Sequence, residues 1–308
     1  MYLFRHEDTK LIVGRDVFVF ALFTRDLYAA ACADVEKALD HWLAKVPPEA
    51  LQWASVGTNS DTFKPYTPAA LRKCRAELDP VRAAKRGLGY FALTGGEDPQ
   101  NPSFAFSFAG DNEPGGRIPD ATCLVEIRWP SEYAEQHVEE LVACVSEVAS
   151  LVPFRSGYAS PALSRGSWES THLDEAGRQL IPLAFRHPGY DLPENGSTAS
   201  FMPADKCRGA RWLTLLGPAL VAQLGDEAAL RATLDARVAI QPAGDGLLLR
   251  AGERPEIGEV NRAELTPVLR SVAAAIEPVT FWNDWRSFGN LFGDDHDKVL
   301  RWERRHLD

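Results

Sequence analysis

The sequence predicts an α+β fold: antiparallel sheets with helices packed on one face, arranged as two α+β halves over residues 1–153 and 154–308. Three observations lead there. Short runs rich in Val, Phe and Leu are separated by Gly/Pro turns. Amphipathic stretches with three- and four-residue apolar spacing stand between those runs. From Arg211 onward the order is strand–helix–strand–strand–helix, and the first half offers a looser version of it. That opens a duplication as one account of the chain, although no residue-level repeat supports it. The two halves can also pack as one continuous domain.

Residues 16–24 (DVFVFALFT) read as a buried strand bounded by charge. A helix follows over 34–45, with Val35, Leu39 and Trp42 on one face, and Pro47-Pro48 stops it. Residues 51–56 read as a strand, and 67–86 as a basic helical stretch broken at Pro80. Three strands come next, 89–94, 103–109 and 121–129, joined by turn-forming segments. Residues 131–152 read as one long helix capped by Ser131, with Val138, Leu141, Val142, Val145 and Val148 forming its apolar stripe.

The second half begins at 154–168, and 174–200 reads as a long irregular connection through HPGYDLPENGSTAS. Residues 211–216 read as a strand, 226–236 as a short helix, and 237–241 with 246–251 as a strand pair. Asn261 and Glu264 have capping-box spacing for the last helix, which is expected to bury Leu265, Leu269, Val272 and Ile276. Pro267 falls inside its first turn.

With 308 residues, 45% of them hydrophobic, the chain can bury a substantial core. Forty-three acids against 33 bases give a net charge of -10. This argues against a nucleic-acid or anionic-membrane binder, since both need clustered Lys and Arg. The charges at Arg5, Glu7, Asp8 and Lys10 rule against a secretory signal, and no window is long enough for a membrane span. The cysteines at 32, 74, 123, 144 and 207 are odd in number and widely spaced, so neither a disulfide framework nor a zinc site is expected. These features together place the chain in the cytosol.

No Walker loop, dinucleotide fingerprint, nucleophile elbow or H-E-x-x-H occurs, so no catalytic residue, metal or cofactor is expected. Two sites are the exceptions to weigh. Asp294-Asp295-His296-Asp297 holds four potential metal ligands, but adjacent residues point in different directions. His187 and Asp191 have the chemistry of an acid–base pair, yet the Pro-Gly between them favours a turn whose side chains bond the backbone.

The charge distribution points instead to a protein partner. Residues 111–150 hold nine acids against two bases, Arg117 and Arg128. A solvated helix face accounts for that imbalance, and a docking surface for a basic partner is the sharper reading. The candidate contact residues are Asp111, Glu113, Glu132, Glu135, Glu139 and Glu140. In the tail FWNDWRSFGNLFGDDHD, Trp282, Asp284, Trp285, Asp294 and Asp295 combine aromatic anchors with acids, a composition that suits an interface and equally a core-facing segment.

Three blocks, RHPGYD (186–191), WLTLL (212–216) with LGDEAALRATL (224–234), and LLLRAGERPEIGEVNRAELTPVLRSVAAAIEPV (247–279), resemble the TsiV-type immunity proteins of type VI secretion systems. The ending WERRHLD (302–308) is similar to that family's Trp–Arg–Arg–Phe-like close. Two positions depart from the pattern: Glu259 stands where Asp is expected, and His306-Leu307 replaces an aromatic. The resemblance implies an antidote, not an enzyme, that binds a cognate secreted effector toxin, in that family often a nuclease, by covering its active site. The rival readings are an enzyme using His187, Asp191 or the 294–297 cluster, and a structural accessory of the secretion system.

Overall fold

The computed structural model describes residues 2–7, 10–57, 62–112, 122–166, 170–283 and 288–308. The first half runs β1 (Leu3–Arg5), β2 (Ile12–Thr24), α1 (Tyr28–Leu43), β3 (Trp53–Val56), β4 (Lys64–Pro65), α2 (Pro68–Glu77), α3 (Pro80–Arg86), β5 (Leu88–Gly95), β6 (Phe104–Asp111), β7 (Leu124–Pro130), α4 (Ser131–Gln136) and α5 (Val138–Leu151). The second begins with β8 (Phe154–Arg165), α6 (Ser170–Arg186), α7 (Asn195–Phe201), β9 (Cys207–Arg208), β10 (Leu213–Leu216), α8 (Pro218–Gln223) and α9 (Glu227–Thr233). It continues through β11 (Val238–Ala243), β12 (Gly246–Ala251), α10 (Pro267–Ile276), β13 (Thr280–Phe281) and a C-terminal helix (His296–Glu303).

One large antiparallel sheet spans both halves in the order β11-β12-β10-β8-β2-β7-β6-β5-β3-β4, with β1 added beside β2. Its centre is the pairing of β2 with β8 from Gly14 to Thr24. The apolar run in β2 explains that position, because a strand buried on both faces needs side chains that tolerate burial at every residue. Phe18, Phe20 and Leu22 join the main core with Leu39 and Trp42 of α1, Val145 and Val148 of α5, and Leu269 and Val272 of α10. Each such side chain contributes roughly 1.5–3 kcal/mol relative to exposure. On the opposite face, Ala21 and Phe23 pack with Tyr158, Ala199 and Met202. Leu163 packs there with Leu180, Ile181 and Ala184 of α6 and with Trp302 of the C-terminal helix. Helices therefore cover the sheet's centre on its second face too.

The α+β class is as expected; residues 154–165, read only as the start of the second half, form the central strand β8, and three further local details differ. The stretch 131–152 is two helices, with a break at His137 (φ -121°, ψ 41°). Ser131 caps neither, because β7 runs directly into α4 and puts Pro130 at the cap position. The segment 174–200 is mostly helical. Pro182 sits inside α6, where packing of Leu180, Ile181 and Ala184 outweighs the lost backbone hydrogen bond. Finally, α10 starts at Pro267 in the favoured first-turn position, not at Asn261. Leu265 consequently lies outside the helix and is 64% exposed.

All five cysteines are buried and unpaired. Among the described residues, no helix is long and apolar enough to cross a membrane.

Candidate partner-binding surface

The two places considered for catalysis are occupied by structural bonds. His187 turns its Nδ1 to the Gly258 carbonyl at 2.7 Å, and its Nε2 lies 3.5 Å from Glu259. Asp191 faces elsewhere, into the interior. In the 294–297 run, Asp295 caps the C-terminal helix by accepting from Lys298 N at 2.8 Å. No group of three or more His, Cys, Asp or Glu side chains gathers to hold a metal among the described residues.

Asp191 belongs to a buried polar network on the second face of the sheet. Arg211 Nε donates to Asp191 Oδ1 at 2.8 Å, and Arg208 lies 3.4 Å from the same oxygen and 3.7 Å from Glu303. Tyr158 donates to Asn195, which donates in turn to Glu126, each at 2.7 Å. Arg165 and Glu194 form a second buried pair. Burial pushes the Asp191 carboxyl up, but Arg208 and Arg211 together pull it well below the usual carboxylate range. Arg305 ties the C-terminus in by donating to the carbonyls of Pro188 and Tyr190.

The outer surface is organised differently. β7 delivers the chain into α4, and the break at His137 turns it sharply into α5. The imidazole of His137 stacks on Tyr133 with 4.3 Å between ring centroids. This corner leaves Glu132, Glu135, Glu139 and Glu140 exposed. A cleft of about 240 Å³ lies beneath it, between Ala134, Glu135 and Val138 on one side and Arg254, Pro255 and Ile257 on the other. A second cleft beside it runs from Glu139 and Glu140 to Arg250 and Glu253.

The four glutamates are not equivalent. Glu139 receives two hydrogen bonds from Arg250, at 2.9 and 2.6 Å, and these hold its carboxyl below the ordinary range. Glu140 is engaged by His137 and Tyr133 on its own corner. Neither carboxylate of Glu132 or Glu135 has a hydrogen-bond or ion-pair partner among the described residues.

The profile of the TsiV family, described as type VI immunity for VRR-NUC, matches residues 34–306. The chain belongs to this family. A solved structure of Pseudomonas aeruginosa T6SS protein PA0821 superposes with a TM-score of 0.74 at 20% identity, covering 96% of this chain and 82% of that one. At that identity the likeness shows the shared fold. No curated protein matches the chain.

The blocks that carry the TsiV resemblance meet one another inside this fold. Arg186 and His187 of RHPGYD bond the Gly258-Glu259 turn, and Gly189 N donates to Ile257 O at 2.8 Å. Glu259 fills its departing position well, since it takes both oxygens to Arg186 Nε and accepts from Asn261 N. His306 bonds Thr266 at 3.1 Å. These motifs of the TsiV-family chain build its scaffold.

The remaining sequence-chosen residues are scattered. Asp111 is half-buried at the end of β6, in a separate pocket with Gly110 and Thr122. It stands near the Leu124 end of β7 while α4 leaves the Pro130 end, about 20 Å away along the strand. Trp282 is half-buried under the Arg304 guanidinium, which lies 5.4 Å from its ring. Asp294 and Asp295 are exposed at the start of the C-terminal helix. Glu113, Asp284 and Trp285 lie outside the described residues. Sequence reasoning missed Arg250, Glu253 and Arg254, which face the acidic corner from the other half. The charged turn R-A-G-E-R after a strand was the available signal.

Proposed function

We propose that this TsiV-family chain neutralises a VRR-NUC-type nuclease effector in the cytosol, using the acidic α4–α5 corner to cover the nuclease's phosphate-binding surface. The observation that carries this reading is the pair of solvent-facing carboxylates of Glu132 and Glu135, which no side chain among the described residues bonds, with Glu135 lining a cleft. A nuclease holds phosphates with Lys and Arg, and carboxylates set on a rigid helical corner are complementary to such groups. Long-range attraction to a chain of charge -10 speeds the encounter. The mechanism is occlusion, with no turnover by this chain.

The test is to titrate the purified protein into the nuclease encoded beside it and follow DNA cleavage. Cleavage should fall to background near stoichiometric protein, and nuclease–protein complex should appear on a sizing column. Undiminished cleavage at a large excess of protein sinks the proposal.

A further inference from the structure

The cleft under the α4–α5 corner has a composition that the acidic surface alone does not require. Its walls include the part-exposed Pro161, Tyr190 and Ile257, over a buried floor of Val17, Phe18 and Trp212. Carboxylates outnumber guanidiniums around it: Glu132, Glu135, Glu139 and Glu140 on the corner and Glu253 opposite, against Arg250 and Arg254, with Arg15 close enough to act on Glu132. At about 240 Å³ the space admits one long side chain and no secondary-structure element.

We propose that this cleft receives a single arginine side chain of the effector. The inference rests on the effector-binding reading given above and names the chemistry of that contact. An arginine lays its methylene stem along apolar surface and keeps its planar guanidinium for aromatic faces and bidentate carboxylates. The stem lies against Pro161 and Ile257, and the guanidinium reaches the carboxylate of Glu135 beside the Tyr190 ring. The same wall already takes one guanidinium: Arg250 lies 5.5 Å from the Trp212 ring on its way to Glu139. Arg254 also sits at the rim, but it engages the Glu135 backbone carbonyl and leaves the carboxylate free. A purely apolar side chain would fill the floor and leave Glu135 unused. A lysine would forgo the aromatic stacking and the bidentate geometry.

Two measurements on the full chain test this. The first titrates N-acetyl-argininamide, with N-acetyl-norleucinamide as control, and follows backbone amide shifts by NMR. Arginine amide should move Ala134, Glu135, Val138 and Ile257 saturably at millimolar concentration, and the norleucine compound should not. The second compares effector affinity of the parent with that of Ala134→Phe, which fills the cleft, and Glu135→Gln, which removes the charge at constant shape. Each should weaken binding at least tenfold, Glu135→Gln with melting temperature unchanged. One arginine-to-alanine variant of the effector should lose its own effect in the Ala134→Phe background. If the parent binds the effector and both variants bind as tightly, the arginine contact is overturned while the immunity reading stands. If arginine amide shifts the cleft but the effector does not bind, the cleft's chemistry stands and the immunity reading fails. Equal shifts from both amides, or none from either, overturn the arginine assignment.

Discussion

Arg211 Nε donates to Asp191 Oδ1 at 2.8 Å in the interior of the protein, where both side chains are almost wholly shielded from water. Asp191 also balances Arg208. Removing one partner of such a group leaves a buried charge uncompensated, which costs more than the pair itself contributes. Asp191→Asn should therefore destabilise the fold by about 3–5 kcal/mol. The linkage has a definite sign. The folded carboxyl is held well below its usual range, so its stabilisation is present above the unfolded value of about 4 and is lost as pH falls further. Urea unfolding at pH 7 checks the first statement, and a loss below about 1 kcal/mol contradicts it.

A second titration lies closer to neutrality. Burial, with Arg305 and Arg211 nearby, holds His306 well below the ordinary imidazole range, so it stays neutral in the folded state. The unfolded chain takes up a proton near pH 6.5 that the folded chain refuses. Stability should thus decline as pH falls below about 6.5, with a slope of up to about 1.4 kcal/mol per pH unit from this group. His306→Gln keeps a partner for Thr266 and removes the titration. Its unfolding free energy should show a flatter pH dependence between 7 and 5 than the parent. Parallel curves for the two proteins would remove His306 as the cause.

Most strand positions were legible in the sequence because they rest on local signals, the Val/Phe run of β2, the Phe run of β6 and the Gly/Pro turns between strands. The face of α5 was legible for the same reason, through Val145 and Val148. Strand β8 was not, because FRSGYASPALSR carries Gly157 and Pro161 and no clear apolar alternation. Helix α6 was not, since Pro182 and the following HPGYD obscure a helix that tertiary packing holds. Glu132, Glu135, Glu139 and Glu140 were read as an acidic face on one continuous helix, and the break at His137 that makes it a corner was not foreseen. Which of them are free was not, because Arg250 reaches Glu139 across 111 positions. The spacing of Asp191 to His187 offered an acid–base pair, which the Pro-Gly between them spoke against. The actual partners of Asp191, Arg208 and Arg211, lie on another element and show only in three dimensions.

Glycine 189 tests the packing of RHPGYD against the turn that precedes Glu259. A Cβ at this position would stand 1.8 Å from the Glu256 carbonyl oxygen and 2.6 Å from Ile257 Cα, both backbone atoms. Gly189→Ala should cost about 1–3 kcal/mol or more, as overpacking against an immovable neighbour does. Gly196 in α7 is the contrast, since a Cβ there meets nothing within 4 Å. Gly196→Ala should be neutral or stabilise by up to about 1 kcal/mol. Thermal unfolding of the two variants separates them, and equal effects would contradict the packing argument.

The segment leading into α10 carries a similar contrast. Leu269 is 2% exposed and Leu265 is 64% exposed. Leu269→Ala should cost about 2–5 kcal/mol through lost burial and the residual cavity. Leu265→Ala should stay within about 0.5 kcal/mol, as surface changes usually do. Denaturant midpoints measure both, and a large loss at Leu265 would mean that it packs where the fold leaves it exposed.

Partner binding should separate the glutamates of the corner by rate constant. Association responds to the summed field, so Glu132→Gln, Glu135→Gln and Glu139→Gln should each slow it by a similar modest factor that shrinks at high salt. Dissociation reports contacts made in the complex. Glu139 already gives both oxygens to Arg250, so its replacement should leave dissociation nearly unchanged. Its side chain is 75% exposed, and the lost ion pair should cost less than about 1 kcal/mol of stability. Glu132 and Glu135 are free to bond the partner, and their replacement should speed dissociation several-fold. Rapid-mixing kinetics with the effector at two ionic strengths resolves the two effects. If all three variants alter association alone, the corner steers the effector without touching it, and the contact surface must be sought elsewhere on the chain.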